Sequence, residues 1–68
     1  MIEIKINTDI IKLDAFLKWC GAISTGSDAK YYIQNEMVKV NDEIETRRGK
    51  KLTKGDKIEV DGEEFIIV

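Results

Sequence analysis

Residues 12–40 read KLDAFLKWCGAISTGSDAKYYIQNEMVKV, and two periodicities succeed one another in that stretch. Leu13, Phe16, Leu17 and Cys20 recur at i, i+3, i+4 and i+7, the spacing of one face of a helix, and Gly21 follows as its C-terminal cap. Ser24-Thr25-Gly26-Ser27-Asp28 is a polar loop opening a second helix. Asp28 stands three residues after Thr25, as the acidic partner does in a capping box. Ala29, Tyr32 and Ile33 supply that helix's apolar stripe, and Asn35-Glu36 ends it. At Val38-Lys39-Val40 the period drops to two, which predicts a strand.

Working outward, Ile2, Ile4 and Ile6 alternate with Glu3 and Lys5, predicting a half-buried N-terminal strand that Asn7-Thr8-Asp9 breaks. Asn41-Asp42 and Gly55-Asp56 are turn candidates, and the chain from Ile44 toward the segment around Gly49 is expected to be extended. Ile58-Glu59-Val60, Asp61-Gly62 and Glu63 to Val68 spell a hairpin whose Asp-Gly suits a type I′ turn. Helices grouped before strands define an α+β class: two short helices packed on a small, mainly antiparallel sheet. The expected core is Ile4, Leu13, Phe16, Leu17, Ile23, Ala29, Ile33, Val38, Val40, Leu52, Ile58 and Val60. With 68 residues and no repeat, linker or low-complexity tract, one domain spanning residues 1–68 is expected.

Several function classes have little to stand on. No apolar run approaches the roughly 20 residues of a membrane span, and no secretion signal opens the chain. One cysteine and no histidine leave too few ligands for zinc, and suit a reducing cytoplasm. Asp14, Asp28 and Asp56 form no acid pair, and no nucleophile sits beside a base. The expectation is therefore no enzyme, no metal and no cofactor. Cys20 reads as a small core residue.

The net charge of −2 conceals a strong segregation. Residues 46–55 (TRRGKKLTKG) carry Arg47, Arg48, Lys50, Lys51 and Lys54 and no acid, whereas the flanking segments are both net negative. A basic segment on an acidic body can offer one positive face to phosphates.

The same residues carry a resemblance. Lys12-Leu13-Asp14, Leu17 with Gly21, Thr25 to Lys30, Val38-Lys39-Val40-Asn41 and Gly55-Asp56-Lys57-Ile58-Glu59-Val60 follow, in order and spacing, the pattern of the S-four (S4) RNA-binding domain over residues 12–60. The basic stretch from Glu45 to Leu52 is similar to that of stand-alone bacterial proteins of the YaaA and YbcJ type. The resemblance implies the S4-like fold with its alpha-L RNA-binding motif. This chain has Gly26 where that family often has Arg, and Glu36 and Asp42 where it has Gly. Asn35 and Asn41 tolerate positive φ better than most residues, so the turns at these places remain possible.

The resemblance further implies a binder of structured RNA, with ribosomal RNA or a ribosome assembly intermediate as partner, in the cytoplasm. A protein-interaction adaptor or an accessory subunit of an RNA-modifying enzyme is the alternative. A ubiquitin-like sulfur carrier is not expected, since such carriers need a C-terminal Gly-Gly and the sequence reads Phe-Ile-Ile-Val there. The expected RNA-binding residues are Lys12, Ser24, Thr25, Gly26, Ser27, Lys30, Arg47, Arg48, Lys50 and Lys51. Arg offers a planar fork to phosphate oxygens and Lys a mobile charge. The second helix offers free N–H groups at Thr25 to Ser27, with hydroxyls beside them and no side chain at Gly26 to block approach. Trp19 and Tyr31 read as packing residues, Tyr31 being the better candidate for stacking on a base.

Overall fold

A computed structural model describes residues 1–68. The chain runs β1 (Ile2–Ile4), β2 (Ile11–Lys12), α1 (Leu13–Trp19), α2 (Gly26–Gln34), β3 (Val38–Val40), β4 (Glu43–Ile44), β5 (Lys51–Leu52), β6 (Lys57–Val60) and β7 (Glu63–Ile67). Five strands form one sheet in the order β1-β7-β6-β3-β4, and β2 pairs with β5 as a separate two-stranded ladder. All pairings are antiparallel except β1 with β7, where Ile2, Glu3 and Ile4 run alongside Phe65, Ile66 and Ile67. This is the expected α+β architecture, with the N-terminal strand closing the sheet beside the C-terminal one. No helix is long and apolar enough to cross a membrane.

Alternation decides what each strand buries. Val38 and Val40 on β3, Ile58 and Val60 on β6, and Phe65 and Ile67 on β7 point inward beneath the helices. Leu13, Phe16 and Leu17 of α1 and Ala29 and Ile33 of α2 meet them, with Phe16 edge-on to Phe65 at a centroid distance of 6.3 Å. Ile6, Phe65 and Ile67 also belong to this core, beyond the residues expected there. Ile4, expected inside, is only half-buried because β1 is an edge strand. Cys20 lies partly buried against the core, as expected of a small apolar residue.

Two turns have the same left-handed pair of residues. Asp61 (φ 53°) and Gly62 (φ 77°) join β6 to β7, as Asp-Gly predicts, and Asn41 (φ 52°) and Asp42 (φ 70°) join β3 to β4. Positive φ after α2 falls on Glu36 (φ 61°), while Asn35 is the C-cap at φ −96°. The turn thus forms with the positive φ at Glu36 itself and not at Asn35. Asn35 is held in the last turn by bonds from its own N–H and Nδ2 to the Tyr31 carbonyl, and the reversal comes one residue later.

Candidate nucleic-acid interface

The basic segment is tied to the first helix through its backbone. Leu13 N–H donates to the Lys50 carbonyl (2.9 Å) and Asp14 N–H to the Arg48 carbonyl (3.1 Å). These are two of the four N–H groups that a helix start leaves without partners. Lys12, the N-cap of α1, makes no side-chain cap bond, so the basic segment performs the capping. A second tie is the β2–β5 ladder, in which Ile11 faces Leu52 and Lys12 faces Lys51. Leu52 is fully buried and anchors the ladder. Alternation then turns Lys12 and Lys51 outward together, and both are exposed. The Leu13-to-Lys50 bond marks Lys12–Lys51 as a non-hydrogen-bonded pair, the type whose side chains stand closer.

The backbone of Lys12, Arg48, Lys50 and Lys51 is thus tied together at the start of α1, and none of the four side chains is in an ion pair. Arg47 differs. Its guanidinium is bound by Glu45, with Nε to Oε2 at 3.0 Å and Nη2 to Oε1 at 3.3 Å, and its backbone N–H donates to the same carboxylate. The arginine holds the Glu45 carboxyl below the usual range, and the carboxylate raises Arg47 in return.

At the second expected locus, Thr25 is the N-cap of α2 in extended conformation, and its hydroxyl accepts from the Asp28 N–H at 3.2 Å. This is the predicted cap. Ser24, Gly26, Ser27 and Lys30 are exposed around it. Lys30 lies one turn after Gly26, on the same face of α2. Sequence reasoning missed Lys18: its ammonium lies 3.9 Å from where a Cβ on Gly26 would sit. It therefore stands beside the position at which the pattern discussed above often has Arg. A lysine off the apolar stripe of α1 carries no signal of this, because only the packing of α1 on α2 brings it there. Asp14 and Lys18, one turn apart on α1, bridge the two loci, since Asp14 N–H is bound by Arg48 and Lys18 reaches Gly26.

The acids beside the basic segment are largely engaged. Asp42 turns to Lys57 (2.7 Å), which also reaches Glu64 (3.5 Å), so that Lys57 is spent on the outer side of the sheet. The lysine lowers the Asp42 pKa, and Asp42 raises that of Lys57. Asn41 joins two turns: its Nδ2 donates to Asp56 and its Oδ1 accepts from the Lys57 N–H. Trp19 and Tyr31, expected to pack, are 52% and 59% exposed. The Trp19 indole N–H is fixed on the Lys5 carbonyl (3.0 Å), and Tyr31 meets Tyr32 edge-on. Both flank the core because neither lies on its helix's buried stripe. Burial pushes the Cys20 thiol up, away from a reactive thiolate.

A helix pair whose first turns are flanked by cations, set on a small sheet, is the arrangement of an RNA-binding module of the S4 type. The model of the S4 domain family matches residues 4–68, and the chain belongs to that family. It is also similar to the "Probable ribosome maturation protein RlbA" of Bacillus subtilis (strain 168). The two are 44% identical over 59 residues, which cover 87% of this chain and 83% of the relative.

Proposed function

We propose that this protein binds structured RNA of the ribosome or of a ribosome assembly intermediate. The contact surface comprises Lys12, Arg48, Lys50 and Lys51 together with Ser24, Thr25, Gly26, Ser27 and Lys30 at the opening of α2, and Arg47 at its margin. Lys18 is added to that set. The observation that carries the reading is the β2–β5 ladder, which keeps Lys12 opposite Lys51 with no carboxylate between them. Like charges rooted directly opposite each other on a strand pair cost the fold energy, and a phosphate bound between them would repay that cost. Membership of the S4 domain family and the ribosome-maturation name of the Bacillus subtilis relative support RNA, and the ribosome, as the partner.

Recognition of a folded RNA by such a surface depends on backbone shape and 2′-hydroxyls more than on base sequence. Binding rather than catalysis is the role. The chain has no histidine, and its one thiol is raised by burial. The test is filter binding of Bacillus subtilis ribosomal RNA at rising salt, comparing Arg48→Glu/Lys51→Glu with Lys39→Glu on the outer side of the sheet. The proposal expects the double variant to lose at least tenfold in affinity and the control to lose little. Equal losses, or no binding by the parent protein, would overturn it.

A further inference from the structure

Arg47 is the one member of the basic segment joined to a carboxylate, and the bond can act in two opposite ways. It can neutralise the arginine, or it can aim it. The geometry points to the second: we infer that Glu45 is a positioning residue that holds the Arg47 guanidinium ready for an RNA phosphate. This inference rests on the RNA-binding reading above and deepens it.

The two side chains are unequally placed. The Glu45 side chain is only 13% exposed and that of Arg47 73% exposed, so an approaching phosphate meets the arginine before the carboxylate paired with it. Glu45 is itself anchored, its N–H donating to the Val38 carbonyl of β3 at 3.0 Å. Its carboxylate takes the Arg47 backbone N–H, the Nε–H and one Nη2–H. A guanidinium has five N–H donors, so three remain on the edge away from Glu45, enough for a forked grip on phosphate oxygens. The Arg47 carbonyl in turn accepts from Lys50 N–H (3.1 Å), and the Lys50 carbonyl accepts from Leu13 N–H. Arg47 is thus fixed between the sheet and α1 at both ends of its loop.

Around it lies a cleft of about 240 Å³ lined by Val40, Asn41, Glu43, Glu45, Arg47 and Lys50. Lys50 also lines this cleft, as a second cation with no ion pair, and Glu43 lines it as an exposed acid. A long, exposed arginine normally gives up its rotamer freedom when it binds. Here Glu45 has already removed that freedom, which is the advantage of preorganisation.

The two roles predict opposite signs. Glu45→Gln is isosteric and makes the protein one unit more positive, so a neutraliser's removal tightens RNA binding and a positioner's removal weakens it. The experiment is a double-mutant cycle of Glu45→Gln, Arg47→Gln and both together, read by filter binding of Bacillus subtilis ribosomal RNA over a salt series. Glu45→Gln is expected to weaken binding about three- to tenfold and to make the salt slope shallower by about 0.7–0.9, the share of one phosphate contact. In the Arg47→Gln background it should cost nothing more.

Tighter or unchanged binding by Glu45→Gln overturns the inference. So does an equal loss in the presence and absence of Arg47, or an Arg47→Gln variant that binds like the parent. If Arg48→Glu/Lys51→Glu still loses binding in those cases, only the role of Glu45 has failed. If that variant also binds unchanged, the RNA-binding reading fails with it.

Discussion

Lys12 and Lys51 stand opposite each other on the short β2–β5 ladder, with side chains on the same exposed side. Like charges facing across a strand pair destabilise by roughly 0.2–1 kcal/mol, and opposite charges stabilise by a similar amount. Lys51→Glu converts one into the other, a swing of about 1 kcal/mol at low salt. For a domain of this size that raises Tm by about 4–8 °C. The gain should shrink toward zero at 1 M salt, where the screening length is about 3 Å, and Lys51→Gln should show about half of it.

The same change removes a phosphate contact and adds repulsion. Ribosomal RNA binding should therefore fall about tenfold, equivalent to ~1.4 kcal/mol. Thermal melts at two salt concentrations and filter binding measure the two effects. A variant that is less stable at low salt, or one that is stabilised but binds RNA as before, would refute the claim that this pair is kept apart from carboxylates for the sake of an anion.

Three further outcomes follow from the fold. Glu36 holds φ 61° without glycine's freedom, so Glu36→Gly should raise stability by about 0.5–1 kcal/mol in urea denaturation while leaving RNA affinity unchanged. Phe16→Ala removes a fully buried ring in contact with Phe65. The cost of about 3–5 kcal/mol is comparable to the whole stability of so small a domain, and circular dichroism should show a largely unfolded chain. Asp42 and Glu45 have pKa values lowered in the fold, chiefly by hydrogen bonds from Lys57 and Arg47. Their contribution is complete above the unfolded carboxylate range and is lost as pH falls through the folded values. The urea midpoint should hold from about pH 8 to 6 and drop below about pH 4, with the Asp42 part of that drop absent in Lys57→Gln.

The helices, the α2 cap and the β6–β7 hairpin were legible because each rests on a local pattern: the stripe from Leu13 to Cys20, Thr25 before Asp28, and Asp61-Gly62 between alternating strands. The ladder of Ile11–Lys12 with Lys51–Leu52 was not, since two-residue strands show no period and this pairing spans some forty residues of chain. The parallel pairing of β1 with β7 was hidden for the same reason. Ile6 and Ile67 become core residues only through such distant contacts. The cations of 47–51 could be picked out from charge alone, but the split within them could not. Arg47 turns to Glu45, two residues before it, while Arg48 and Lys51 have no ion pair. Lys18 was invisible because Gly26 gives no hint of the neighbour that stands beside it.

The central claim concerns which side of the molecule meets RNA, and backbone amide shifts in a titration with ribosomal RNA fragments report it residue by residue. The largest changes should fall on Lys12, Lys18, Ser24 to Ser27, Lys30 and Arg47 to Lys51, while Lys39, Lys57, Glu59 and Glu64 on the outer side of the sheet stay still. Shifts centred on those four, or spread evenly over the surface, would contradict it.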